Sequence, residues 1–136
     1  MPDSSYHWPP YHCHDWVVIH GDSDQTPWFA LTTRAGAAVD LTDATLRAQV
    51  RNRSGELVHT FTLGTGILVG SGEVTFTDGR PAIVTAAVRL ALSLVDSEAL
   101  PRKLRDGAYD LEITRAGKRR TALGGSFYVV ADVSHD

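Results

Sequence analysis

The chain is poor in the features that crosslink or anchor many small proteins. Cys13 is the one cysteine among 136 residues, so no disulfide can form within the chain. No apolar run approaches the roughly 20 residues of a membrane-spanning helix. The N-terminal stretch MPDSSYHWPPYHCHD has neither the basic nor the apolar part of a signal peptide. We therefore expect a protein made in the cytoplasm, without a membrane partner, whose stability comes from its own core.

An excess of basic charge is also absent. The chain has 13 Lys and Arg residues against 16 Asp and Glu residues, which gives a net charge of −3. Nucleic-acid-binding domains usually carry a basic surface, so no nucleic-acid partner is expected. Hydrophobic residues at 43% and charged residues at 21% are ordinary for a globular protein, and the length suits one domain with a core of its own.

The chain does contain a clear alternation of apolar and polar residues. In Val39–Leu57 and Asp106–Thr121 this alternation runs next to a turn. Successive side chains of a strand point to opposite faces, so one face of each segment can pack while the other stays solvated. The apolar positions are Leu46, Ala48, Val50, Tyr109, Leu111 and Ile113.

The polar positions of these two segments carry opposite charges. Arg47 and Arg51 lie in the first segment, and Asp110 and Glu112 lie in the second. If the segments are neighbouring strands, these side chains can pair across the sheet. We expect modest surface ion pairs there.

Turn sequences divide much of the remaining chain into strands. Ser54-Gly55 and Ala116-Gly117 predict hairpins. Val84–Leu94 alternates along its length and is interpreted as a strand, although its alanine and leucine content would also suit a helix. Asp96–Leu100 predicts one helical turn that stops at Pro101.

Together these patterns predict an all-β fold. The specific prediction is an immunoglobulin-like antiparallel β-sandwich of about seven to nine strands with one short helical turn. Residues 14–136 form the predicted sandwich domain. Residues 1–13, which include Pro9-Pro10, are predicted to be an extended N-terminal arm because proline favours extended backbone at and before its own position.

The segment Asp106–Leu111 has the form of a tyrosine corner. In that motif a tyrosine near the start of a strand hydrogen-bonds back to upstream backbone, two residues before a buried position. Gly107, Tyr109 and Leu111 are therefore predicted structural residues, with Leu111 at the buried position. The alternative, that Tyr109 is only an aromatic residue of a strand, stays open.

Aromatic and basic residues supply candidates for contacts with a partner. The candidates are Tyr6, Trp8 and Tyr11 in the arm and Arg102, Lys103 and Arg105 in a predicted loop. The aromatic group suits docking on a neighbouring subunit, because aromatic residues are favoured interface anchors. The basic group would be either solvated or in contact with an acidic partner.

One short cluster has metal-ligand chemistry. His12, Cys13 and His14 are weak candidates, since histidine and cysteine bind zinc and the two histidines would point to one side of an extended strand. No second pair follows at the spacing of a zinc finger. We therefore predict no cofactor, and the docking arm is the preferred interpretation.

Catalytic motifs are not evident in the sequence. It has no nucleophile elbow, no paired carboxylates in a glycosidase-like context and no phosphate-binding loop, so an enzyme is not expected. Trp8, Trp16 and Trp28 leave a carbohydrate-binding module open, since indole rings can stack on sugars. The alternative for Trp16 and Trp28 is a place in the core.

Two long segments, VDLTDATLRAQVRNRSGELVHTF and VRLALSLVDSEALPRKLRDGAYDLEITRAGKRRTALGGSFYVVADVS, resemble a group of phage and prophage structural proteins. They are similar in particular to the N-terminal domain of the baseplate upper protein family. The matching positions are Asp40-Leu41-Thr42, Arg51, Gly55-Glu56-Leu57, Asp96–Leu100, Gly107–Leu111 and Phe127–Ser134. Two departures are Asp43, where glycine is usual, and Arg102–Arg105, which resembles an insertion.

The resemblance implies a structural role in the virion of a tailed phage or phage-like particle. It suggests a tail or baseplate adaptor or connector, made in the host cytoplasm, that packs with other virion proteins and with copies of itself in a symmetric ring. Two alternatives remain open. One is a capsid decoration or head-fibre protein, and the other is a carbohydrate-binding receptor-recognition module.

Overall fold

The computed structural model describes residues 8–33, 35–75 and 79–132. The protein is all-β, with 61% of its residues in strands and 5% in helix. The strands are β1 (His12–Cys13), β2 (Trp16–Ile19), β3 (Asp24–Gln25), β4 (Phe29–Ala30), β5 (Thr45–Arg51), β6 (Leu57–Leu63), β7 (Gly66–Thr75), β8 (Pro81–Leu92), β9 (Leu104–Arg115) and β10 (Lys118–Val130). One helix, α1 (Leu94–Ala99), lies between β8 and β9.

The strands pair in two groups. In one group β10 pairs with β1 and β2 on one side and with β9 on the other, and β5 and β6 follow. In the other group β8 pairs with β7, β3 and β4. A short contact between β6 and β7 joins the groups through the pairs Thr62–Gly66 and Leu63–Ile67.

The predicted all-β class is confirmed, but two of its details are wrong. The described chain has ten strands, because the N-terminal third forms four very short ones. Three pairings, β1–β10, β2–β10 and β6–β7, are parallel rather than antiparallel. The immunoglobulin-like sandwich stays a prediction.

Local predictions agree well with the strands and the helix. Both hairpins form, β5–β6 and β9–β10, and each is antiparallel. Val84–Leu94 is a strand for most of its length, as part of β8. The helical turn starts after Ser93, whose hydroxyl oxygen accepts a hydrogen bond from the N–H of Asp96 at 3.1 Å, and it ends before Pro101.

A single buried cluster holds side chains from both groups of strands. Trp16 lies near its centre, with its ring 5.9 Å from that of Phe61 and 5.4 Å from that of Phe127. Ile67 of β7 and Val88 of β8, in the second group, belong to the same cluster. Contacts between aromatic rings add to the stabilisation that burial of their area provides, so β2 contributes directly to the core.

The predicted boundary between arm and domain is wrong. Trp8 is only 9% exposed and packs in the core cluster. His12 and Cys13 pair with Leu123 and Gly124 of β10. The chain from Trp8 onward therefore belongs to the folded domain, and Trp8 cannot serve as a free anchor. Tyr6 lies outside the described residues.

The predicted structural residues Gly107, Tyr109 and Leu111 all lie in β9. The predicted tyrosine corner is wrong, because the hydroxyl of Tyr109 does not bond to backbone a few residues upstream. The Tyr109 hydroxyl donates to the carbonyl of His14 at 2.6 Å, and His14 lies next to β2 rather than a few residues upstream. Leu111 is fully buried, as predicted. A Cβ on Gly107 would lie 2.5 Å from the carbonyl oxygen of Phe127, so only glycine permits this close approach.

We predict that Tyr109→Phe destabilises the fold by about 1–2 kcal/mol, because it leaves the His14 carbonyl without its donor. Burial raises the pKa of Tyr109, so its hydroxyl keeps the proton that it donates. Urea unfolding measures the change. Tyr128→Phe on β10 is the matched control and should change stability much less. An equal loss in both variants would contradict a special role for the Tyr109 hydroxyl.

Candidate interaction surface

An apolar surface lies where β2 pairs with β10. Val17 is 53% exposed, Ile19 is 44% exposed and Val130 is 48% exposed, although each is a large aliphatic residue. The register places Val17 beside Tyr128 and Ile19 beside Val130. We call these four residues the edge patch. A cluster of exposed apolar side chains on a sheet often marks a protein–protein contact.

Two of the predicted basic residues lie next to the edge patch. Lys103 and Arg105 line a groove of about 460 Å³ together with Val17 and Tyr128. Both cations are exposed, and within the described residues neither forms an ion pair. Arg102 is exposed but does not line the groove. The predicted loop is partly wrong, because Arg105 belongs to β9.

The backbone of β2 is open on the side away from β10. The N–H groups of His14 and His20 both donate to β10 carbonyls at 2.9 Å, and the register between them does not shift. Backbone groups alternate sides along a strand, so the N–H and C=O of Val17 point away from β10. Among the described strands, β2 pairs with β10 alone. Val17 is therefore at a free edge.

The charged face of the same sheet is self-neutralised. The carboxylate of Glu112 on β9 lies 3.8 Å from Arg47 and 3.5 Å from Arg119. Arg47 and Glu112 are direct cross-strand partners, which confirms the predicted pairing for Arg47. The prediction is wrong for Arg51, which lies opposite Ala108 and donates to the carbonyl of Gly55 instead. Partial burial, with the nearby charge of Glu112, raises the pKa of Asp110. The charge of Glu112 is therefore balanced by two cations, although its Oε2 has no hydrogen-bond partner among the described residues.

The histidines of the metal candidates contact an aromatic ring. His12 and His14 lie 5.4 and 5.6 Å from the ring of Phe29, measured between ring centroids. Nε2 of His12 is hydrogen-bonded to the carbonyl of Ala30 at 3.0 Å. Cys13 is exposed. Among residues 8–33, 35–75 and 79–132, no three His, Cys, Asp or Glu residues come together as a metal site.

Tyr11 has a different environment from Trp8, the other described aromatic candidate. It is 56% exposed, and its ring lies close to the backbone of Gly124 on β10. Burial of part of the ring is the main cause that raises the pKa of its hydroxyl. Tyr11 therefore remains available for a partner, and its role at an interface stays a prediction.

The tryptophans offer little surface for a sugar. Trp8 and Trp16 are buried, at 9% and 3% exposure. Trp28 is half-buried, with the Arg89 guanidinium 4.6 Å from the ring centroid. The backbone of Gly72 also approaches this ring, since a Cβ built there would lie 2.4 Å from it. The alternative that Trp16 is a core residue is therefore confirmed.

Comparisons with known proteins supply no relative. No protein-family model matches the chain, and no match was found among curated proteins or solved structures. Within the part of the chain that the structure describes, no helix is long and apolar enough to cross a membrane. Function therefore has to be argued from the surface chemistry of the chain.

We predict that Gly72→Ala destabilises the fold by about 1–3 kcal/mol, because the added methyl group would overlap the Trp28 ring. The loss of stability is measured by thermal unfolding, with tryptophan fluorescence as the signal. Gly70→Ala is the matched control, since the same strand has open space at that position. Similar unfolding temperatures for the two variants would contradict the close contact of Gly72 with Trp28.

A second prediction concerns the half-buried carboxylate of β9. The pKa of Asp110 is higher in the folded chain than in the unfolded one, so its ionisation favours unfolding, and stability falls as pH rises through the folded pKa. Asp110→Asn should therefore raise the free energy of unfolding at neutral pH and have less effect in acid, where the carboxyl is protonated in both states.

Urea titrations at neutral and acid pH test this pH dependence. Glu73→Gln on the exposed face of β7 is the control, because it removes a carboxylate that is solvated in both states. A stabilisation by Asp110→Asn that is the same at both pH values would show that the cause is not the ionisation of Asp110.

Proposed function

We propose that the protein is a structural component of a tailed-phage or phage-like particle, where it acts by protein–protein assembly as a tail or baseplate adaptor or connector. The observation that carries the assembly role is the edge patch, with the free backbone of Val17 beside it. Lys103 and Arg105 border the same patch, and neither has an ion pair among the residues that the structure describes. In this proposal the protein works by binding and is not an enzyme.

The phage setting is supported by the resemblance of the long segments to the baseplate upper protein family. One departure from that family has a physical explanation. Asp43 has a φ of +58°, a region that favours glycine, and glycine is the residue usual at this position of the family. Aspartate is among the few other residues that tolerate this conformation. The departure therefore keeps the backbone conformation that the family's glycine suggests.

The proposed partners are other virion proteins and copies of this chain in a symmetric oligomer. Symmetric rings place the same surface in contact with a neighbour at every position. The exposed edge patch and Tyr11 are available for such contacts. The carbohydrate-binding alternative has less support, because Trp8 and Trp16 are buried and Trp28 is contacted by Arg89 and Gly72.

The test is the protein content of purified particles from the phage or prophage that encodes this chain. We expect quantitative mass spectrometry to find the protein at a fixed copy number per particle, and immunogold microscopy to locate it on the tail or baseplate. The amount of an abundant host cytoplasmic protein in the same particles serves as the control for contamination. Absence from particles would refute the virion role, and labelling of the capsid surface would favour a decoration protein instead.

A further inference from the structure

We propose that the edge patch of one copy of this chain binds the exposed side of helix α1 of a second copy. This inference rests on the proposed assembly function and names the two surfaces that join the copies. The edge patch is apolar and has cations beside it, while the exposed side of α1 is apolar and acidic. The two surfaces therefore match in apolar character and are opposite in charge.

Helix α1 turns two aliphatic side chains and one carboxylate toward solvent. Leu94 is 56% exposed and Val95 is 75% exposed. Glu98 is also exposed, and it lies on the same side of the helix because residues three and four apart are neighbours there. Within the described residues Glu98 forms no ion pair, whereas Asp96 lies 3.9 Å from His59. We call Leu94, Val95 and Glu98 the helix face.

Hydrogen bonds on the inner side of α1 hold the helix face outward. The hydroxyl of Ser97, which is fully buried, donates to the carbonyl of Ile19 at 3.3 Å and accepts from the N–H of Gly21 at 2.9 Å. Nε2 of His20 donates to the carbonyl of Glu98 at 3.2 Å. A helix that is already fixed in the free chain loses little conformational entropy when it binds.

On the side of the edge patch, apolar and charged residues follow a fixed order across the sheet. The register places Val17 of β2 beside Tyr128 of β10. Strand β9 pairs with β10 on the other side, and Arg105 of β9 borders the same groove together with Lys103. Apolar groups therefore cover β2 and β10, and both cations lie on the flank that β9 forms.

The dimensions of one helical turn suit this order. Neighbouring strands lie about 4.8 Å apart, and one turn of an α-helix rises about 5.4 Å. If Leu94 and Val95 cover the apolar groups of β10, Glu98 lies one turn away, above the flank that carries Lys103 and Arg105. The carboxylate then meets two cations that have no ion pair among the described residues.

A second copy is the favoured occupant because the chain itself carries both surfaces. A contact between two different surfaces of one chain can repeat from copy to copy and close into a ring, which is the kind of assembly proposed above. Contact would also remove the exposed aliphatic groups of both surfaces from water. One helical turn buries little area, so we expect weak, reversible association in solution.

Sedimentation velocity of the full chain over a series of concentrations tests the contact. We expect a reversible oligomer that high salt weakens. Glu98→Arg and the double variant Lys103→Glu/Arg105→Glu should each raise the dissociation constant by about tenfold or more, because like charges then meet. An equimolar mixture of these two variants should restore association, since each altered surface again meets a surface of opposite charge.

Charge reversals away from both surfaces are the matched controls. Glu73→Arg on β7 and Lys118→Glu in the β9–β10 hairpin change exposed residues and should leave the dissociation constant unchanged. Val95→Ser tests the apolar part of the contact and should weaken association by about tenfold. Ile83→Ser is its control, since Ile83 is 70% exposed on β8. Circular dichroism confirms that every variant folds.

Each outcome supports or overturns the inference. Loss of association in both charge variants, with restoration in their mixture, supports it. Association that persists in either charge variant, or that mixing does not restore, overturns it. A chain that stays monomeric at concentrations up to about 1 mM also overturns it, because even a weak contact is detectable there.

These results are separable from those of the particle test. If the protein is present in particles but the mixture of variants does not associate, the contact between α1 and the edge patch fails and the virion role stands. If mixing restores association but the protein is absent from particles, the virion role fails and the contact stands.

Discussion

The parallel docking of the N-terminal strands on β10 is the contact on which both the core and the candidate surface depend. Three interactions hold it: Tyr109 donates to the His14 carbonyl, the N–H of Ser126 donates to the Asp15 carboxylate at 3.0 Å, and Trp16 inserts between Phe61 and Phe127. Gly125 makes the approach possible, since a Cβ there would lie 2.1 Å from the carbonyl oxygen of His14. The close backbone approach at Gly125 and the burial of the Trp16 ring therefore both stabilise the pairing of β2 with β10.

The same docking explains why β2 has two very different faces. The contact turns Trp16 and Val18 inward, at 3% and 0% exposure, so that Val17 and Ile19 must point outward. Packing of the core does not require apolar residues at the outward positions, since polar side chains there would leave Trp16 and Val18 buried. The outward residues Val17 and Ile19 are nevertheless aliphatic, and an exposed apolar cluster of this kind is a reason to expect a partner.

Sequence patterns predicted what depends on near neighbours. Local turn chemistry or alternation accounts for the hairpins at Ser54-Gly55 and Ala116-Gly117, the strand within Val84–Leu94 and the helical turn before Pro101.

Pairings between distant segments are harder to predict from the sequence. The sequence has no local signal that β2 pairs with β10 in parallel, because any strand edge could accept β2. The pairing of the N-terminal strands with β10 also decides which residues Trp8 and Tyr109 contact. The edge patch could not be predicted for that reason. In β2, WVVI, inward and outward positions alternate, but every side chain is apolar. The sequence of this strand therefore does not show which face is buried.

The contrast between the two charged regions of the sheet favours the edge patch as the place where a partner binds. Docking on the face around Glu112 would require a partner to displace or desolvate ion pairs that Arg47 and Arg119 already form, and such a loss offsets much of the gain. Lys103 and Arg105 have no such pairs to break among the described residues, and the apolar groove beside them releases water when it is covered. A partner that covered the edge patch, as we propose, would therefore gain both charge neutralisation and apolar burial without disturbing the core.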